Sequence, residues 1–292
     1  MSQEWTGVRG KRVILTGATN GIGLAAARRL AALGAELAIV ARNPERAARA
    51  VETIRQAAPD APPADVLIAD LAAQASVRRL ADEILERYPR IQILVNNAGA
   101  MYGRRELSED GIEMTWALNH LAPFLLTNLL LERLKASAPA RIVTTASAAH
   151  YGAHIPFEDL NAERGYDRIG FRRYGESKLA NILFTAELAR RLAGTGVTAN
   201  CFHPGVVATG FNHNNGVVIG LAMSIMQLFS RRPERGAETL VWLADSPQVE
   251  HTSGAYFFDK RQIRPSVAAR DPEIAGRLWE VSEQQTALTA AA

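Results

Sequence analysis

Arg12-Val13-Ile14-Leu15-Thr16-Gly17-Ala18-Thr19-Asn20-Gly21-Ile22-Gly23 decides the fold. Arg12 to Thr16 reads as a short buried strand, and the alanine-rich run from Leu24 to Leu33 reads as a helix closed by Gly34. Strand, glycine turn and helix, in that order, are the setting in which a Gly-rich loop holds phosphate. Its glycines let the backbone approach a pyrophosphate, and free amides at the helix N-terminus meet the charge. The spacing is Gly-x-x-x-Gly-x-Gly, not Gly-x-Gly-x-x-Gly. A tight turn serving only helix–strand packing is the alternative.

Glu36 to Ala41 is a second strand, ending at Arg42-Asn43-Pro44. At this place an adenosine ribose is read: an acid would accept from its 2′-hydroxyl and repel a 2′-phosphate. The sequence offers Ala41 and then Arg42, whose guanidinium suits a phosphate. NADP(H) is therefore expected over NAD(H); a solvated arginine at a strand end is the alternative. Pro44 opens a helix to about Ala58, and the strand Asp65 to Ala69 ends at Asp70-Leu71. Asp70 can accept from an adenine amino group or cap the helix Ala73 to Arg87. The strand Gln92 to Val95 leads into Asn96-Asn97-Ala98-Gly99, placed where the strand order reverses. Alternating βα units make the sheet parallel, with helices on both faces.

Asn119 and Pro123 interrupt a long helix expected over Ser108 to Leu134. Proline lacks an N–H and its ring clashes with the carbonyl four residues back, so a kink is expected beside Asn119. The freed carbonyl can bind a water that passes protons; a purely structural kink is the alternative. Arg141 to Ser147 is a strand with Ser147 at its C-terminal end. A hydroxyl there can donate to a carbonyl oxygen, and no Gly-x-Ser-x-Gly surrounds it to make it a hydrolase nucleophile. His150 and His154 read as loop histidines. Tyr174 and Lys178 are four residues apart, hence one turn apart on one helix face. A phenol ordinarily ionises near pH ~10, and an adjacent ammonium is expected to lower that value toward neutrality.

The strand Gly196 to His203 ends at Pro204-Gly205, which with Thr209 can wrap the far end of a dinucleotide. The run Asn212 to Gly216 reads as a hinge into the apolar stretch Val217 to Phe229, followed by Arg231, Arg232 and Arg235. A lid over the site at about 210–232 is expected, with a core helix or a membrane-surface helix as alternatives. A helix from Pro233 to Leu243, a strand near Ala255 to Phe258 and a tail helix around Ile274 to Ser282 complete the chain.

Bulk composition narrows the field. Of 292 residues, 48% are hydrophobic and 22% charged, which suits a globular protein, and no repeat or linker marks a second domain. Net charge is only +3, with scattered Lys and Arg, so nucleic acid is not expected as a partner. The single cysteine, Cys201, makes no intrachain disulfide, and no Cys/His cluster implies a metal. Met1 to Lys11 lacks the apolar core of a signal peptide, and Val217 to Phe229 is short of the ~18–20 residues of a membrane span. A single cytoplasmic domain over 1–292 is expected, and a homodimer by fold-level analogy.

With these residues in place, the chain resembles the short-chain dehydrogenase/reductase family over roughly Gly7 to Glu283. Thr16 to Gly23 is similar to the family's cofactor loop, Asn96-Asn97-Ala98-Gly99 to its Asn-Asn-Ala-Gly segment, and Tyr174 to Lys178 to its Tyr-x-x-x-Lys pair. Leu118-Asn119-His120-Leu121, Ser147 with His150, and Leu278 to Glu283 are most similar to the retinol-dehydrogenase-like branch and its bacterial ketoreductase relatives. The resemblance implies an α/β, doubly wound, mostly parallel Rossmann-type sheet of about seven strands with helices on both faces. It implies a catalytic tetrad of Asn119, Ser147, Tyr174 and Lys178. Tyr174 would carry the proton, Ser147 the substrate oxygen, Lys178 the nicotinamide ribose, and Asn119 the water relay. Cofactor contacts are expected from Gly17, Thr19, Asn20, Gly21, Ile22, Gly23, Arg42, Asp70, Leu71, Asn97, Ala98, Gly99, Tyr174, Lys178, Pro204, Gly205, Val207 and Thr209. Pro123 departs from the small or polar residue more usual there. The function expected is NADPH-dependent reduction of a bulky lipophilic carbonyl such as a polyketide, steroid or retinoid. An NAD-dependent secondary-alcohol dehydrogenase and a catalytically silent dinucleotide sensor are the rivals.

Overall fold

The computed structural model describes residues 4–205 and 231–288. Eight strands form one sheet in the order β3-β2-β1-β4-β5-β6-β7-β8. They are β1 (Arg12–Thr16), β2 (Glu36–Ala41), β3 (Asp65–Ile68), β4 (Ile93–Asn96), β5 (Ala140–Thr145), β6 (Val197–Phe202), β7 (Tyr256–Phe258) and β8 (Arg261–Gln262). All neighbouring pairs are parallel except β7 with β8. The two-residue β8 is the strand beyond the seven expected; both its residues are exposed and polar, so no apolar pattern announces it.

The strands carry apolar residues on both faces, as a sheet covered by helices on each side requires. Along β1, Val13 and Leu15 join the core under α1 (Gly21–Ala32) and α2 (Pro44–Ala57), while Ile14 joins the opposite core. That second core holds α3 (Gln74–Arg87), α4 (Ala122–Leu129) and α6 (Phe171–Arg191); the short α5 (Leu131–Ala136) follows α4. On the first face, α7 (Pro233–Asp245) packs against α1. The tail helix α8 (Pro272–Gln285) starts earlier and ends later than its apolar pattern, because Asp271 Oδ1 accepts from the amides of Glu273 (2.9 Å) and Ile274 (3.1 Å). Trp279 anchors it, with ring centroids 5.0 Å from Phe124 and 5.9 Å from Phe184.

The single helix expected over Ser108 to Leu134 is corrected. A short turn, Met114–Trp116, runs into a π-helical segment, Ala117–Leu121, and then into α4 and α5. The amide of Ala122 reaches back five residues to the Ala117 carbonyl. Pro123, with no N–H, sits in the first turn of the next helix, where a missing donor costs nothing. The wide turn absorbs the proline without a break, and Asn119 rides on it, fully buried.

Candidate active site

Strand order reverses between β1 and β4, and the loops after β1, β4, β5 and β6 meet at one edge of the sheet. Gly17 has φ +69°, and a Cβ on it would lie 2.7 Å from the Ala98 Cα; one on Gly23 would strike the Gly17 carbonyl at 2.1 Å. Only glycine allows this turn to close against the Asn97-Ala98 loop. Thr16 fastens the two loops: its hydroxyl accepts from the amides of Asn97 and Ala98, each at 3.0 Å. Asn97 returns Nδ2 to the carbonyls of Thr16 and Gly17 (both 3.2 Å) and accepts from the Thr145 hydroxyl at 3.2 Å. Helix α1 begins at Gly21 after Asn20, whose side chain makes no capping bond, and its first turn carries no acid. Its leading amides suit an anion.

Four candidate catalytic side chains converge beside this loop. Gly99 is the meeting point: a Cβ there would lie 3.0 Å from Asn119 Oδ1 and 3.4 Å from Lys178 Nζ. Asn119 is held at both ends, accepting from the Ala100 amide (2.8 Å) and donating to the Ala100 carbonyl (2.9 Å) and Ser177 Oγ (3.0 Å). Lys178 is buried; Nζ donates to the Thr145 carbonyl at 3.1 Å and lies 5.5 Å from the centre of the Tyr174 ring. Burial lowers its pKa to about 8. Ser147 follows β5 and its Oγ accepts from the Ala149 amide at 3.1 Å. Tyr174 is half-buried, and packing around its hydroxyl pushes its pKa up to about 12, against a lowering hydrogen bond with Ser147. The lowering expected from Lys178 is thus overturned for the cofactor-free protein. Desolvation of a phenolate outweighs an ammonium that is itself desolvated.

The family model described as short chain dehydrogenase matches residues 11–159 and 160–217. This chain belongs to that family. Retinol dehydrogenase 14 of Mus musculus is 43% identical to it over 94% of this chain and 86% of that protein. DnrU of Streptomyces sp. (strain C5), named for daunorubicin C-13 ketoreduction, is 40% identical over 94% and 92%. The crystal structure of a short chain dehydrogenase from Burkholderia cenocepacia J2315 in complex with NADP superposes with a TM-score of 0.68 at 29% identity, covering 86% of this chain and 96% of that one. The protein is accordingly an oxidoreductase of an alcohol/carbonyl family that uses a nicotinamide dinucleotide.

The structure places the remaining expected residues with mixed outcomes. Arg42 is exposed at the end of β2, with its charge beside the Tyr102 hydroxyl, which Asp70 also faces. Asp70 does not cap α3: its Oδ1 closes a local turn on the Ala72 amide at 2.9 Å, and its own amide donates to Ser76 Oγ at 3.0 Å. Leu71 lies against Thr16, Ala98 and Pro123 around a small cavity. At the end of β6, the Gly205 amide donates to His203 Nδ1 (3.2 Å), and His203 stacks on Phe258 at 4.2 Å. Val207, Thr209 and nearly all of the expected lid at 210–232 lie outside the described residues. Arg231, at its end, is paired to Asp259 and lies over Phe258. Among the described residues no helix is long and apolar enough to cross a membrane and no group of side chains could hold a metal.

Several contributors carry no sequence signature. Thr16, Thr145 and Ser177 act through hydroxyls or carbonyls aimed by the fold. A buried ion cluster next to Tyr174 also goes unannounced. Arg173 donates to Glu113 (2.8 Å), Glu176 (3.2 Å) and the Leu160 carbonyl, and lies over the Trp116 ring at 4.7 Å. Glu113 accepts in turn from the amides of Thr115 and Trp116, both at 2.9 Å. The pair joins the helix of Tyr174 and Lys178 to the turn leading into Asn119. Arg173 is adjacent to Tyr174 in sequence, and its burial is the one clue missed.

Proposed function

We propose that this chain reduces a ketone or aldehyde on a bulky lipophilic molecule with NADPH, and works reversibly on the corresponding alcohol. The observation that carries the reading is the convergence of Asn119, Ser147, Tyr174 and Lys178 beside Gly99 at the carboxyl edge of the sheet. The glycine turn and the uncapped start of α1 fit a pyrophosphate, and Lys178 would hold the nicotinamide ribose. A bound nicotinamide supplies the hydride to the carbonyl carbon, or takes it in reverse.

The residues divide the rest of the work. Ser147 donates to the carbonyl oxygen, and Tyr174 passes its phenolic proton there as negative charge develops. Lys178 is desolvated, so its attraction for a forming phenolate is far stronger than it would be in water. Asn119, clamped to Ala100 and Ser177, keeps the backbone of the π segment in one place beside the lysine. Arg42 would meet a 2′-phosphate, with no acid at that strand end to oppose it.

The test is a carbonyl screen following NADPH absorbance with steroids, retinoids and aromatic polyketides, repeated with NADH. Turnover with NADPH on at least one such class is expected. Tighter binding of NADH than NADPH would overturn the cofactor assignment.

A further inference from the structure

His150, expected in a loop, is wholly buried and ends the single 3₁₀ turn Ala148–His150 that follows the serine of the site. Its Nδ1 is 2.7 Å from the Ser147 carbonyl, and its Nε2 is 3.2 Å from the Ser266 amide. A backbone N–H can only donate, so Nε2 is the acceptor and the ring proton sits on Nδ1, pointing at Ser147. The ring is gripped on its faces too. Tyr256 packs edge-on at 5.1 Å and Tyr151 tilts against it at 4.1 Å. From the other side α6 presses on the same turn, since a Cβ on Gly175 would come within 2.6 Å of the Ala149 carbonyl.

We propose that His150 is a positioning residue. In its Nδ1–H form it pins the Ser147 carbonyl to the segment carrying Ser266 and so fixes the direction of the Ser147 hydroxyl. The His150 ring adds a second, shorter bond (2.7 Å) to a Ser147 carbonyl that already accepts from the His150 amide (3.2 Å), and the Ala149 amide occupies one lone pair of Oγ. The hydroxyl so held is the one hydrogen-bonded to Tyr174, and a substrate oxygen would be shared between the two. The inference rests on the carbonyl-reductase reading for its kinetic test, but not for its spectroscopic one.

Two amide substitutions separate positioning from mere core filling. His150→Asn keeps a donor near the Nδ1 place and can hold the Ser147 carbonyl. His150→Gln puts an acceptor near the Nε2 place and can hold Ser266, leaving the Ser147 carbonyl to the backbone amide of residue 150 alone (3.2 Å). With all-trans-retinal and NADPH, His150→Gln should lose about tenfold or more in kcat with little change in the KM for NADPH, whereas His150→Asn should stay within about threefold of the parent. Equal losses in both variants that track their melting temperatures would overturn the proposal. In the intact protein, 15N shifts of labelled histidine should show His150 as the Nδ1–H tautomer. An Nε2–H signal would overturn it whether or not any carbonyl is turned over. Absence of turnover in the parent would count against the proposed reaction and leave the tautomer to decide.

Discussion

The ammonium of Lys178 lies 5.5 Å from the centre of the Tyr174 ring while it donates to the Thr145 carbonyl at 3.1 Å. A cation is thus stored beside a phenol in a place where neither charge is comfortable: burial raises the tyrosine to about 12 and lowers the lysine to about 8. Desolvation is the leading cause of both shifts, so each group is held toward its neutral form.

Lys178 therefore costs the cofactor-free protein stability near neutral pH. Its folded pKa is depressed, so below about 8 the folded state carries a charge that burial penalises, and the penalty is relieved as pH rises from there toward the unfolded value of 10.5. Lys178→Met should raise the melting temperature at pH 7, by roughly 1–3 kcal/mol in stability, while abolishing turnover. The advantage should shrink by pH 9.5. Thermal melts of both proteins at the two pH values check it, and an advantage that grows with pH would contradict the assignment.

Arg173 and Glu113 should be worth far more together than apart. Removing only the arginine leaves the buried carboxylates of Glu113 and Glu176 without their shared cation, so Arg173→Met should cost about 3–5 kcal/mol. Adding Glu113→Gln should recover part of that loss. Urea denaturation of the single and double variants gives the coupling; additive losses would show that the pair is not a bolt between the two segments.

Arg42→Ala should weaken NADPH by about 2 kcal/mol, the scale of a lost charge-assisted hydrogen bond, and leave NADH nearly unchanged. Tyr102, whose hydroxyl faces Arg42, should be less critical than the arginine. Titration of both cofactors by fluorescence decides. Equal losses for the two would remove the 2′-phosphate contact.

Much of this was legible before the fold was known, and the reasons are physical. Short apolar runs bounded by glycine or asparagine located β1, β2, β4 and β6 to within a residue or two. Motif spacing located the glycine loop and the Tyr174–Lys178 pair. The misses share one cause, which is that their determinants are distant in sequence. The π turn at Ala117–Leu121 answers to Pro123 together with the bonds that clamp Asn119 to Ala100 and Ser177. Strand β8 exists because it pairs with β7, not because of its own pattern. The rise in the Tyr174 pKa needs the packing around its hydroxyl, whereas spacing reported only the neighbouring cation.

The central claim is that the Tyr174 hydroxyl delivers the proton to a carbonyl reduced at this edge of the sheet. Tyr174→Phe removes one oxygen and leaves the ring beside Lys178, so cofactor affinity should fall far less than the rate. Single-turnover reduction followed by NADPH absorbance should slow by about 10²–10⁴-fold, the range of general acid catalysis. Reduction at an undiminished rate in the phenylalanine variant would contradict the account.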